Sequence, residues 1–305
     1  MHATQPRVKI WLTAIRPFAY PASVTAVFFG TAVAFYQGAS VHGLRFVLTL
    51  IGVVCFHTAA NLLNDRFDFQ RGLDRRVHPG SGAVVRGWLT PASATRAAAV
   101  LLILGAGIGM VLFIQTGWPV LALGAAGTLI VLAYTRSGFC LKYTAMGDAA
   151  IFISFGLLPV FGAFWVQAQR FSLVPVLWSI PLAFYTVAIL HANNWRDLES
   201  DPDRGCRTVA SSLGEKGSAA YYKFLVLGPM VWIAAAGISG WFVRSFDSGP
   251  VWVVLCLLVL PKALKLVRID RIRDPDQFVM LDALTARTQL GFGLLLTLAF
   301  LLGGI

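Results

Sequence analysis

Nine stretches of mostly apolar residues constrain this chain more than anything else in it. They lie at roughly 18–37, 44–63, 97–115, 118–135, 148–167, 174–192, 224–242, 250–267 and 288–304. A helix needs about 20 such residues to cross the hydrocarbon core of a bilayer. The sequence therefore predicts an all-α, polytopic membrane protein with about nine transmembrane helices, forming one domain over residues 1–305. Composition agrees. The chain is 57% hydrophobic and 13% charged, with a mean hydropathy of +0.71, whereas soluble domains carry about 25% charged residues. Several runs are rich in Gly and Ala, which lets helix backbones approach closely in lipid. Near the N-terminus, Lys9 and Arg16 flank only a short Ile-Trp-Leu segment, so no cleavable signal is expected.

The connections alternate in length. Those after runs 1, 3, 5 and 7 are short, and those after runs 2, 4, 6 and 8 are longer and polar. Of the 25 basic residues, only Arg45, Arg170 and Arg244 lie beside the short loops. Lys and Arg are retained in the cytoplasm, which places the N-terminus and all four long loops inside a cytoplasmic (inner) membrane, with the C-terminus outside. The net charge of +11 then reports orientation and calls for no nucleic-acid partner. Cys55, Cys140, Cys206 and Cys256 are far apart and form no CxxC or Cys/His cluster, so neither a disulfide framework nor a zinc site is expected. The last long loop, from Lys262 to Arg287, is basic and reads as a segment lying on anionic lipid.

Two polar stretches break this apolar pattern. His191 to Asp203 carries four carboxylates within seven residues, and Asn61 to Asp74 is its partner after run 2. Together they hold half of the chain's 14 acidic residues, and both emerge on the predicted cytoplasmic face. Asn61 and Asn193 are 132 positions apart, each followed four residues later by Asp, a faint internal duplication. If the helices continue past the membrane edge, Asn61, Asp65 and Asp68 share one face, as do Asn193, Asp197 and Asp201. Acid at helix C-termini is disfavoured by the macrodipole, and two such clusters facing each other repel unless cations lie between them. Oxygen ligands without His or Cys suit Mg²⁺, which takes one or two carboxylates and fills its shell with water and phosphate oxygens. The residues thus read as a Mg²⁺–diphosphate site at the cytoplasmic interface. The plainer alternative, solvated loop acids, is weakened by the repeated spacing on one face. Arg71, Arg196 and Arg207 fit either ordinary inside charges or neutralisers of a diphosphate.

These stretches resemble the UbiA superfamily of intramembrane prenyltransferases over nearly the whole chain, closest to its 1,4-dihydroxy-2-naphthoate polyprenyltransferases. The resemblance is carried by Ala14-Ile-Arg-Pro-Phe18, Asn64-Asp-Arg-Phe-Asp-Phe-Gln-Arg-Gly-Leu-Asp74, Gly138-Phe-Cys-Leu-Lys-Tyr143, the run from Gly156 to Gln167, Asn193-Asn-Trp-Arg-Asp-Leu-Glu-Ser-Asp201 and Arg207-Thr208. The step from Asp68 to Asp74 and the Asn-Asn-x-Arg-Asp opening point to the naphthoate branch. The chain departs from the family's usual pattern at Cys206, often Lys, and at Asp148, commonly Glu.

The resemblance implies helices around a central cavity and transfer of a polyprenyl group from its diphosphate to an aromatic acceptor. In the naphthoate branch, carbon dioxide is lost and a demethylmenaquinone forms. Asp65, Asp68, Asp197 and Asp201 would hold Mg²⁺, with Asn61, Asn64, Asn193 and Asn194 ordering its shell and the substrate. Asp74 is an outer member of the first motif. Lys142, Arg71 and Arg207 would bind phosphate oxygens, supplying charge where it develops. Phe67, Phe69, Tyr134, Tyr143 and Trp195 are candidate π walls for the allylic cation, or else interfacial packing. Arg16 would either pair with the acceptor's carboxylate or snorkel to the interface. Asp148 would cap a helix or act near the acceptor. His57 and His191 read as packed, hydrogen-bonded residues. Membrane lipid is the remaining partner, since the prenyl tail needs an apolar channel.

Rival readings are weaker. Transporter sites tend to lie at the bilayer midplane on broken helices, whereas these acids sit at helix ends. A CDP-alcohol phosphotransferase would show an Asp-Gly…Ala-Arg signature that is absent. Another aromatic acceptor, such as 4-hydroxybenzoate or homogentisate, remains open, because the Asn and Asp residues handle the diphosphate half of the reaction.

Overall fold

The computed structural model describes residues 5–70, 81–135, 141–198, 207–242 and 249–305. Helix α1 (Arg7–Ile15) sets Arg7 and Lys9 among exposed Val8, Trp11 and Leu12. Arg16 ends it in the left-handed region at φ 52°, Pro17 follows, and the chain bends by 49° into α2 (Pro21–Tyr36). Helix α3 (Gly43–Gln70) runs 28 residues without a break. The Thr90 hydroxyl accepts the Ser93 N–H at 3.2 Å and opens α4 (Pro91–Thr116), whose Pro91 occupies a position where no N–H is needed. There follow α5 (Pro119–Thr135), α6 (Met146–Ala168), α7 (Val174–Arg196) and α8 (Val209–Phe242), the last kinked at Gly214, where φ is 66°. A 3₁₀ segment, Val251–Val259, passes into α9 (Leu260–Leu266). Then come α10 (Pro275–Val279) and α11 (Leu281–Gly303).

Each apolar run read from the sequence lies in a helix. Six helices (α3, α4, α6, α7, α8 and α11) are long and apolar enough to cross a membrane, and the bent pair α1–α2 makes a seventh. The expected count of nine is not reached by this measure, for two local reasons. Helix α5 has 17 residues, and the run at 250–267 is divided between 3₁₀ and α geometry. Among the described residues there is no strand; Thr144 and Arg207 form one isolated parallel bridge.

Helix α7 is the most enclosed of the spans and α4 the least, with Val100, Ile103 and Ile114 facing outward. So much exposed aliphatic surface is rare on a soluble monomer and suits lipid. Helix α2 is held between α6 and α11. A Cβ on Gly30 would lie 2.2 Å from the Val160 carbonyl oxygen, and one on Gly293 2.6 Å from the Thr25 Cβ, so both contacts depend on the missing side chain. Further along, Phe300 of α11 packs edge-on to Phe29 of α2 at 5.1 Å and to Trp178 of α7 at 5.3 Å.

Within α6, Phe152–Leu157 is π-helical. Such a segment inserts extra backbone into a turn and re-aims the neighbouring side chains, often at functional sites. Here Ser154 and Phe155 from the π segment line a central cavity that also receives residues from α2, α3, α5 and α7.

Candidate active site

The cavity, about 150 Å³, is lined by both polar and apolar residues. Arg16, Asn61, Asn64, Asn193 and Asp282 are among the first, and Tyr134, Phe155, Ile189 and Leu190 among the second. The last turns of α3 supply the first motif. As the helical period predicts, Asn61, Asp65 and Asp68 share its buried face, while Phe69 and Gln70 are exposed. Asn61 donates through Nδ2 to the Ile15 carbonyl at 3.0 Å, which ties α3 to the Arg16 break. Asp65 is fully buried. Its Oδ2 accepts the Val84 N–H at 2.9 Å, and its Oδ1 has no partner. Neighbouring Asn64 Oδ1 and Arg16 Nε are likewise buried without a partner. Unpaired buried polar atoms are costly and call for an explanation such as an absent ligand or ion.

Asp68 is engaged differently. Lys142 Nζ lies 2.6 Å from both of its carboxylate oxygens, and the Tyr143 hydroxyl donates to Oδ1 at 2.6 Å. The Lys142–Tyr143 segment is in turn fixed to the start of α8, where the Arg207 N–H donates to the Tyr143 carbonyl at 2.8 Å. The loop after α5 and the residues after the second motif therefore meet over the first. Arg207 itself is exposed.

Only the beginning of the second motif lies in the described residues. Helix α7 ends at Arg196, and Asp197 caps it with non-helical φ −90° and ψ 9°. A continuing helix would have added three more carboxylates at the negative end of the dipole, while Arg196 in the last turn suits that end. The alignment expected of Asn193, Asp197 and Asp201 is described only as far as Asp197. Asp201, with Arg71 and Asp74, falls outside the described residues. Asn193 lines the cavity, whereas Asn194 is buried away from its lining.

Arg196 is not among the residues lining the cavity, and its guanidinium is bonded on several sides. Its Nε donates to Asp197 Oδ1 at 3.3 Å, Nη2 bonds Asn193 Oδ1 and Asp197 Oδ2, and Nη1 reaches Asp282 Oδ2 at 3.2 Å. Asp282 belongs to the first turn of α11 and was not among the residues expected from the sequence. The run read there begins at 288, but the helix starts at Leu281. The available signal was a lone acid six residues ahead of an apolar run.

Asp148, 6% exposed, is hydrogen-bonded to Tyr221 of α8 and does not line the cavity. Of the expected aromatic walls only Tyr134 lines it. Tyr143 turns to Asp68, and Trp195 packs edge-on to Phe278 at 4.8 Å in the core. Phe67 lies under the Arg66 guanidinium at 4.8 Å, and Phe69 is 46% exposed. Phe155, which residue pattern did not single out, lines the cavity from the π segment beside Tyr134 and Phe18. His57 bonds Ser23 Oγ through Nδ1 at 2.8 Å, and His191 Nε2 lies 3.2 Å from the Ser218 carbonyl, so both are packed and hydrogen-bonded. Among the described residues, no three His, Cys, Asp or Glu stand close enough to hold a metal by themselves.

The UbiA prenyltransferase family matches residues 23–285. UbiA prenyltransferase domain-containing protein 1 of Xenopus tropicalis is 36% identical over 221 residues, which cover 72% of this chain and 64% of that protein. The 1,4-dihydroxy-2-naphthoate octaprenyltransferase of Bacillus subtilis is 28% identical over 289 residues, 94% of this chain and 90% of that one. In fold, the chain is similar to a UbiA homolog from Archaeoglobus fulgidus bound to GPP and Mg²⁺, with a TM-score of 0.63 at 14% identity, covering 94% of this chain and 99% of that chain.

Proposed function

The chain belongs to the UbiA prenyltransferase family, and from that premise we propose that it moves a polyprenyl group from polyprenyl diphosphate to 1,4-dihydroxy-2-naphthoate at the cytoplasmic face of the membrane. It is an integral membrane prenyltransferase; the donor, the acceptor and the residues that serve them are the proposed part. In the reaction, the prenyl C1–oxygen bond breaks, a ring carbon attacks C1, and carbon dioxide and diphosphate leave.

One observation carries the site assignment. Asp65 Oδ1, Asn64 Oδ1 and Arg16 Nε are buried and unpaired, and Arg16 and Asn64 line the cavity. That set has an oxygen-rich side and a cationic side, which fits a hydrated Mg²⁺ together with an anionic substrate group. Asp65 and Asp68 with Asp197 would hold the metal, and the archaeal homolog of the same fold is bound to GPP and Mg²⁺. When bound, the ion would neutralise charge on the leaving diphosphate. Lys142 would supply a second positive charge to the same oxygens. Arg16 is held in the left-handed region between two helices, an arrangement that costs of order 1–3 kcal/mol and is typical of functional positions. Its guanidinium would pair with the acceptor's carboxylate and orient the ring. Tyr134 and Phe155 would present π faces to the allylic cation and exclude water. The tail would lie among apolar residues, each buried methylene contributing roughly 0.8 kcal/mol.

The acceptor reading is supported by the activity named for the Bacillus subtilis relative, which spans nearly the same length. Membranes containing the protein, given labelled polyprenyl diphosphate with either 1,4-dihydroxy-2-naphthoate or 4-hydroxybenzoate, with and without EDTA, test it. A Mg²⁺-dependent, decarboxylated lipid product from the naphthoate alone is expected. Product from 4-hydroxybenzoate alone would overturn the acceptor and leave the chemistry standing.

A further inference from the structure

Arg196 and Asp282 form a buried junction that neither Asp-rich motif predicts. The guanidinium donates on three sides: Nε and Nη2 to Asp197, Nη2 also to Asn193, and Nη1 to Asp282 at 3.2 Å and to the Val279 carbonyl at 3.3 Å. A planar fork of five N–H donors has one orientation that satisfies all of these partners. Asp282 is 5% exposed, and its Oδ1 accepts the Ala283 N–H at 2.7 Å, so the carboxylate is held on the first turn of α11 where the helix dipole favours it. Arg196 is therefore anchored at one end to a fixed carboxylate and at the other to the two residues of the second motif, Asn193 and Asp197. Asp197, 35% exposed on its side chain, terminates its helix beside that guanidinium.

We infer that Asp282 is a positioning residue of the active site. Through Arg196 it sets the placement of Asn193 and Asp197, the two residues of the second motif that the guanidinium holds. This rests on the proposed role of Asp197 in metal binding. Without the Asp282 carboxylate, Arg196 loses its anchor on α11, and Asn193 and Asp197 lose the placement it gives them. Groups one shell out from a ligand typically change metal affinity by about 10- to 100-fold when removed.

The test uses the purified full-length protein in detergent. Mn²⁺ serves as the probe ion, read by its EPR signal, in the presence of a non-reactive prenyl thiodiphosphate. Asp282→Asn is expected to weaken Mn²⁺ binding about tenfold, and Asp282→Glu to restore most of it. Mn²⁺ binding by Asp282→Asn equal to that of the wild type would overturn the inference, whatever the change in melting temperature, because that is what a purely structural staple between α7 and α11 gives. If Asp282→Asn does not fold, the paired variant Arg196→Met with Asp282→Leu removes both charges and keeps the volume. Weakened binding there supports the inference, and unchanged binding overturns it. Asp197→Asn separates the two levels: unchanged Mn²⁺ binding in that variant removes the metal reading of the second motif itself, whereas loss in Asp197→Asn without loss in Asp282→Asn removes only the role of Asp282.

Discussion

Lys142 and Asp68 are each other's partner before any substrate arrives. With Nζ 2.6 Å from both oxygens and the side chains only 17% and 7% exposed, the ammonium occupies the carboxylate that the first motif would offer to a metal. A free Mg²⁺ must compete with it. A Mg²⁺–diphosphate complex would not, since its phosphate oxygens would receive the lysine and leave Asp68 to help hold the ion. Charge-assisted hydrogen bonds contribute about 1.5–3 kcal/mol, equivalent to tenfold or more in affinity. Lys142→Met should then bind Mn²⁺ about tenfold more tightly than wild type in the absence of donor, while its KM for the prenyl diphosphate rises. Equal metal affinity in the donor-free proteins would show that the pair places no barrier before the ion.

The helices themselves divide into those whose ends followed from residue pattern and those whose ends did not. Helix α3 was legible to its last turn, since the 3.6 period that buries Asn61 also buries Asp65 and Asp68. The end of α7 was not, because period alone does not register the cost of adding acids to a helix C-terminus. Nor was the start of α11, whose first turns mix Asp282, Thr285 and Arg287 with apolar residues and so read as loop. The wiring of Arg196 to Asp282 spans 86 residues and has no local signature. The π segment of α6 left no trace in composition either, yet it depends on a close approach. A Cβ on Gly156 would lie 2.3 Å from the Ala183 Cβ of α7. Gly156→Val should cost about 1–3 kcal/mol by overpacking and lower the thermal midpoint in detergent. It should also disturb Phe155, next in the chain. A midpoint equal to wild type would mean that α6 and α7 part freely at this point, contrary to the packing that aims Phe155 at the cavity.

At the scale of the whole molecule, the structure separates two faces that the loop lengths had implied. On one, the short-loop ends converge: Arg45 donates to Gln115 Oε1 at 3.2 Å, the His42 N–H donates to Gln167 Oε1 at 2.8 Å, and Gln37 donates to Ser172 Oγ at 3.1 Å. The C-terminal end of α11 joins them, with Gly303 packed on Pro250 and Tyr36. On the other face lie the Asp68–Lys142 and Arg196–Asp282 pairs, and Arg271, which pairs with Glu215 at 3.4 Å. The sequence puts most of the basic residues in the N-terminal segment and the long loops, and their retention in the cytoplasm would turn this second face inward. Single cysteines in a background with the four native ones replaced by alanine give a direct measure. Ser40 is exposed on the short-loop face, and Ile272 is 88% exposed on the motif face. An impermeant maleimide added to intact cells should label Ser40→Cys and leave Ile272→Cys unlabelled until the membrane is opened. The opposite pattern would place the Asp-rich motifs outside the cell, away from any cytoplasmic supply of prenyl diphosphate. Labelling of both in intact cells would contradict the two-faced arrangement itself. The charge asymmetry favours the first result, because inverting the molecule would carry the long basic loops across the membrane while leaving only Arg45, Arg170 and Arg244 behind.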